Sequence, residues 1–391
     1  MSRNILVQRF IKSRFTGFFA FLLLSACQPV NNNQAELTRR AADDPVAAVT
    51  LASQRLASAE YDAALRWFRH AALLGDDIAL HHALQLQQRE QGRLATAQWL
   101  QQQLDSNIID NAAVNLAQRA ELGLWQQNKP RIAGISHALG CKLTLQPVIS
   151  QQAGADNWQS LSQQWQQDPQ LSQLPVCFLP VYTLDSTVLG CTESSDTLIQ
   201  CHYRALDTVV ETGRFSQLLV IAGRGKASYN NGILQLPDNA DLALFRHEFM
   251  HVLGFVDEYP LTEQAAMAIC KPGMRYPNLI IGDNSTAYLQ HWQLAPEDIA
   301  LTAVKTCQSI GQQAYRVVST TNVMRFYELG LPDLYLALAQ QVLQNPQQLM
   351  PVQYYFAYLA RQQQSWLQWQ QFMQRASEQG YADAQQALAV D

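Results

Sequence analysis

The feature that most constrains the fold is a change in the spacing of apolar residues along the chain. From about 46 to 135 they recur every three or four positions, as in Tyr61, Ala64, Leu65, Phe68, Ala71 and Ala72, and Gly75 ends the run. This is the period of a helix with one buried face. Between about 136 and 328 it gives way to short runs rich in Val, Ile and Leu: VCFLPVYTL (176–184), LLVIAG (218–223) and ILQL (233–236). Turn residues separate these runs, and Asn231-Gly232 is a strong signal for a tight hairpin. After 328 the helical pattern returns. The expected fold class is α+β: a central domain at 136–328, with a mixed sheet leading into a helix capped near Asp238 or Asn239, between helical segments at 46–135 and 329–391.

The two helical segments share a pattern. RHAALLGDDIA (69–79) aligns without gaps to QRASEQGYADA (374–384), so that Ala71, Gly75 and Ala79 match Ala376, Gly380 and Ala384. A weaker echo lies at Glu90-Gln91-Gly92. This spacing of small residue, helix-ending glycine and small residue resembles the helical-hairpin repeats related to tetratricopeptide repeats. Such repeats pack as helical pairs and can also present a surface to a protein partner, but carry no chemistry of their own.

The first residues read as an export signal. Arg3, Arg9, Lys12 and Arg14 precede an apolar run, Phe18 to Leu24, that is too short to span a bilayer. The run ends in Leu24-Ser25-Ala26-Cys27, which resembles the lipobox of bacterial lipoproteins. That resemblance implies removal of residues 1–26, acylation of Cys27 and a lipid anchor in the bacterial cell envelope; Gln28, rather than Asp, points to the outer membrane. Residues 27–45 are polar, without an apolar period, and read as a tether. Loss of 1–26 removes four positive charges and no acid, taking the formal net charge from −5 to −9. Phosphate binding needs clustered Lys and Arg, so nucleic acid is not an expected partner.

The remaining cysteines, Cys141, Cys177, Cys191, Cys201, Cys270 and Cys307, all fall in the central domain. In an exported chain their even number suggests disulfides, with Cys191–Cys201 the best local pair and Cys270–Cys307 the second. No C-x-x-C occurs, which argues against a zinc cluster.

The chemistry concentrates in RHEFMHVLGFVDEYP, Arg246 to Pro260. His247 and His251, four residues apart, fall on one helix face and can reach a single metal ion. Glu248, beside the first of them, is placed to move a proton. Gly254 permits the left-handed backbone that ends such a helix. Asp257 can then return as a third ligand, with Glu258 as its substitute and a distant histidine, His202 or His291, as the less economical choice.

Downstream lies STTNVMRFY, 319–327. Together the two stretches resemble the metzincin clan of zinc peptidases, whose pattern is H-E-x-x-H-x-x-G-x-x-H or D followed by a methionine turn. The spelling after His251 is similar to snapalysin-type enzymes, and Asp257-Glu258-Tyr259 to the immunoglobulin A peptidase family. The resemblance implies one catalytic Zn2+ on His247, His251 and Asp257, Glu248 as general base, Gly254 and Met324 as structural supports, and a peptide or protein substrate. It also implies a tyrosine near the methionine that assists catalysis, for which Tyr327 is the candidate and Tyr259 the competitor. The substrate-binding edge strand of the clan would correspond to Gly232–Leu236.

Overall fold

A computed structural model describes residues 32–125 and 128–389. The signal segment and Cys27 lie outside the described residues. The chain divides into two units between Ala79 and Leu80, and each is described by itself.

The first unit is helical. α1 (Asn32–Arg40) lies within the stretch expected to be a tether, so the absence of an apolar period there does not prevent a helix. α2 (Pro45–Ala57) follows, with Asp44 accepting from the Val46 N–H at its start and a proline in its first turn. α2 packs on α3 (Tyr61–Leu73), burying Leu51 and Ala52 of one and Ala64, Leu65 and Phe68 of the other. α4 (Asp77–Asp105) is broken at Gly92, where φ is 85°.

The second unit opens with the later part of α4 and α5 (Leu116–Leu122), then enters β1 (Leu143–Ile149), α6 (Gln152–Gln167), β2 (Val176–Phe178) and β3 (Tyr182–Thr183). α7 (Ser186–Leu189), β4 (Glu193–Leu198) and α8 (Asp207–Thr212) lead to β5 (Gln217–Ile221), β6 (Arg224–Lys226), β7 (Ser228–Asn230) and β8 (Ile233–Leu236). Next come α9 (Leu242–Val252), α10 (Glu263–Ile269), β9 (Leu279–Ile281), α11 (Ser285–Trp292), β10 (Thr302–Val304) and β11 (Ala314–Arg316). α12 (Asp333–Val342), α13 (Val352–Gln362), α14 (Trp366–Glu378) and α15 (Ala382–Ala389) complete it. The fold is mixed α+β, as its sequence pattern predicts.

The main sheet runs β2-β1-β5-β8-β7, with β3 also beside β1, and every pairing is parallel except β7 on β8. All of β5 and β8 is buried, so both faces need cover. Leu219, Ile221, Leu234 and Leu236 face one core with Trp158, Trp165, Phe245, Phe249 and Tyr335. The alternate residues Leu218, Val220 and Ile233 face another, built with Val352, Phe356, Phe372 and Ala376. The helices after 328 therefore supply part of one layer, through α12, and much of the opposite layer, through α13 to α15. The boundary expected at 329 is not a boundary in the packing.

The two aligned stretches share turn geometry, and the likeness extends further back than the aligned letters. Gly75 and Gly380 take φ of 92° and 88°, while Ala71, Ala79, Ala376 and Ala384 are fully buried. At the preceding turn Ala59 and Gln364, offset by the same distance, take φ of 58° and 57°. α2–α3–α4 and α13–α14–α15 thus share one pattern of turns.

Among the described residues there are three disulfides: the expected Cys191–Cys201 and Cys270–Cys307, and Cys141–Cys177, which ties the approach to β1 onto β2. Asn231 and Gly232, with φ of 53° and 80°, form the two-residue hairpin between β7 and β8. This corrects the expected edge strand. Gly232–Leu236 leads into β8, which is interior, and the edge is β7, whose sequence Ser-Tyr-Asn carries no apolar run to reveal it.

Gly232 is needed for more than its dihedral angle, since a Cβ there would lie 2.6 Å from the backbone of Val352. Gly232→Ala should lower stability by about 2–4 kcal/mol, combining left-handed strain with overpacking. Asn231→Gly, at the adjacent left-handed position, should change it by less than about 1 kcal/mol. Urea unfolding of both variants checks the pair.

Candidate metal centre

α9 begins one turn later than its sequence suggests. Asp241 is its N-cap, accepting from the Leu244 N–H at 2.8 Å. Asp238, expected as the cap, is instead buried and paired with Arg93 at 2.5 Å. Two rows of side chains, each spaced by four, then occupy opposite sides of α9. Phe245 and Phe249 enter the aromatic core, with Trp165 4.8 Å from Phe249 ring to ring. His247 and His251 face a cleft of about 630 Å³, bordered by β7 on one side and by α10 on the other.

Past Val252 the helix stops at Gly254, whose φ of 82° turns the chain back, as its sequence position requires. The return brings Asp257 Oδ1 to 3.4 Å from Nε2 of both histidines, which are themselves 3.3 Å apart. These three atoms make a nearly equilateral triangle. A tetrahedral ion with ligands at about 2.0–2.1 Å requires edges of about 3.3–3.4 Å, so the donor set has the size of a metal site. Asp257 Oδ1 is moreover buried with no hydrogen-bond partner. Each imidazole directs its other nitrogen to a backbone carbonyl, His247 Nδ1 to Val323 O and His251 Nδ1 to Phe255 O, both at 2.9 Å. With Nδ1–H donating, Nε2 keeps a lone pair towards the shared point.

The charges agree with this geometry. Burial and the neighbouring His251 hold His247 below its usual pKa. Burial also works against a charged His251, but Asp257 outweighs it and raises that group to about 9. Asp257 is lowered despite its burial, by the facing His251, by Tyr259 and by His247. One proton on His251 therefore balances the carboxylate, in the place an ion would take. Glu248, in the same cleft, is raised to about 7 by burial.

Glu258 is not a substitute ligand. Its side chain turns away from the cleft, 1% exposed, and accepts from Tyr335 Oη at 2.5 Å, Asn322 Nδ2 at 3.0 Å and Asn278 Nδ2 at 3.2 Å. Its own N–H donates to Met324 O at 2.9 Å, and Met324, fully buried, donates to Asn322 Oδ1. Val323 of the same turn holds His247, so the methionine turn positions both arms of the site. Tyr327 is placed differently from the expectation: it lies at the surface beside Glu328 and does not line the cleft. Tyr259 does line it, and burial together with the nearby Asp257 carboxylate raises its pKa. His202 and His291 stand outside the triad. Sequence reasoning missed the network around Glu258, whose only local signal is an acid following Asp257.

Tyr335→Phe should destabilise the protein by about 1–3 kcal/mol, because Glu258 loses a buried donor without gaining water; chemical denaturation measures it. No protein-family model matches this chain, and no curated protein shows significant similarity to it.

Proposed function

We propose that this chain is an exported zinc metalloendopeptidase with a metzincin-like domain, anchored to the bacterial cell envelope by lipid at Cys27. The observation that carries the reading is the triangle of His247 Nε2, His251 Nε2 and Asp257 Oδ1, sized for one tetrahedral ion and open to a cleft that also contains Glu248. These three residues would hold Zn2+, which would supply a Lewis acid for the scissile carbonyl and acidify a water beside it. Glu248 would serve as the proton carrier, accepting a proton from the attacking water and returning it to the leaving amine; its burial favours a group able to do both. A structural zinc is usually closed by a fourth protein ligand, and among the described residues only three donors converge.

A peptide has a place to lie. β7 pairs on one side only, so an extended substrate can add to its outer edge and pass the triad. The three disulfides suit an oxidising compartment. Among the described residues no helix is long and apolar enough to cross a membrane. The helical first unit is the place for a protein partner, and the acidic balance of the chain argues against nucleic acid.

Native mass spectrometry should find one zinc in the purified protein, and Asp257→Ala should lose most of it. Glu248→Gln should keep the zinc and the fold but lower peptide turnover by about 10²–10⁴-fold. A folded parent without zinc, or full turnover in Glu248→Gln, would overturn the assignment.

A further inference from the structure

The wall of the cleft opposite β7 has a composition that bears on the substrate. α10 turns Ala265 and Ile269, one helical turn apart, towards the cleft, with Leu261 before them and Tyr276 after. The Tyr276 hydroxyl donates to Ile269 O at 2.8 Å, which satisfies its polar end and leaves the ring for contact. Among the described residues lining the cleft, the carboxylates and imidazoles are those of His247, Glu248, His251 and Asp257 alone, and no Lys or Arg is present. The polar residues of α10, Glu263 and Gln264, are exposed.

This wall is held in register with the metal triad. Ala266 is fully buried behind it, and Cys270 at the end of α10 is bonded to Cys307. Thr306, next to that cysteine, donates its hydroxyl to Asp257 O at 3.0 Å and accepts from the Leu261 N–H at 3.2 Å. The third ligand and the apolar wall are thus joined through one residue.

We propose that this wall is the specificity pocket and that it selects peptides carrying a large apolar side chain, such as Leu, Met or Phe, beside the cleaved bond. The inference rests on the peptidase reading above. A Lys, Arg, Asp or Glu side chain laid against Ala265, Ile269 and the Tyr276 ring would give up hydration with no charged partner on that wall in return. The small side chain of Ala265 leaves the room that the substrate side chain fills.

The test uses the full chain as Glu248→Gln, loaded with zinc and immobilised, to retain members of a library of end-blocked random peptides. Retained peptides should be enriched about tenfold or more in Leu, Met or Phe over charged residues at one position. Ala265→Lys in the same background should shift that position to Asp and Glu, whereas Met267→Lys, on the exposed side of α10, should leave it unchanged. No retention, enrichment of charged residues by the Ala265 protein, or an unaltered profile in Ala265→Lys overturns the pocket assignment. Incubating the same library with the Glu248 parent separates the two readings. Apolar retention without any cleavage would sink the peptidase and leave the pocket; cleavage without apolar preference would do the reverse.

Discussion

The site depends on one buried carboxylate. Glu258 sits among Tyr335, Asn322 and Asn278, donors from three separate stretches of chain, and its neighbour Asp257 faces the cleft. Anchoring Glu258 inward leaves its neighbour Asp257 little freedom, and Asp257 lies towards the two histidines. A carboxylate with so little exposure is tolerated only because each of its partners is itself anchored. Burial still pushes its pKa up against those hydrogen bonds, which marks how much of its hydration they must replace.

A second constraint comes from the sheet. Parallel strands with no wet face require two layers, and this chain draws them from distant parts of its sequence. α6 and α9 arise between strands, as local connections do, whereas α13 to α15 come from the end of the chain. The closeness of Gly232 to Val352 shows how tightly that second layer is seated on the hairpin carrying the cleft edge.

What could be read from sequence follows the range of the interactions concerned. His247, His251, Gly254 and Asp257 lie within one helix and its exit, so spacing alone predicted that they converge. Cys191–Cys201 and the Asn231-Gly232 turn are local in the same way. Edge strand β7 was missed because three residues with one aromatic carry no period. Glu258 was misread as a spare ligand because its partners, Asn278, Asn322 and Tyr335, are remote and individually ordinary. Tyr327 was chosen by its distance from Met324, and the chain between them turns outward at Arg325 and Phe326, leaving Phe326 52% exposed. The cap of α9 was misplaced because Asp238 and Asp241 offer the same chemistry three residues apart, and only Arg93, far away in sequence, decides between them.

The last-made helices have a consequence for the order of events in the life of the chain. A polypeptide emerges from its N-terminal end, so the strands and the triad are all synthesised before Val352, Phe356 and Phe372 exist to cover one face of the sheet. Tyr335, which steadies Glu258, also comes late. Until those residues emerge, the strands have an uncovered apolar side and Glu258, beside Asp257, lacks a donor. The order of synthesis thereby acts as a timer: the histidine–aspartate triangle gains its full support only after Tyr335 and the covering helices have emerged.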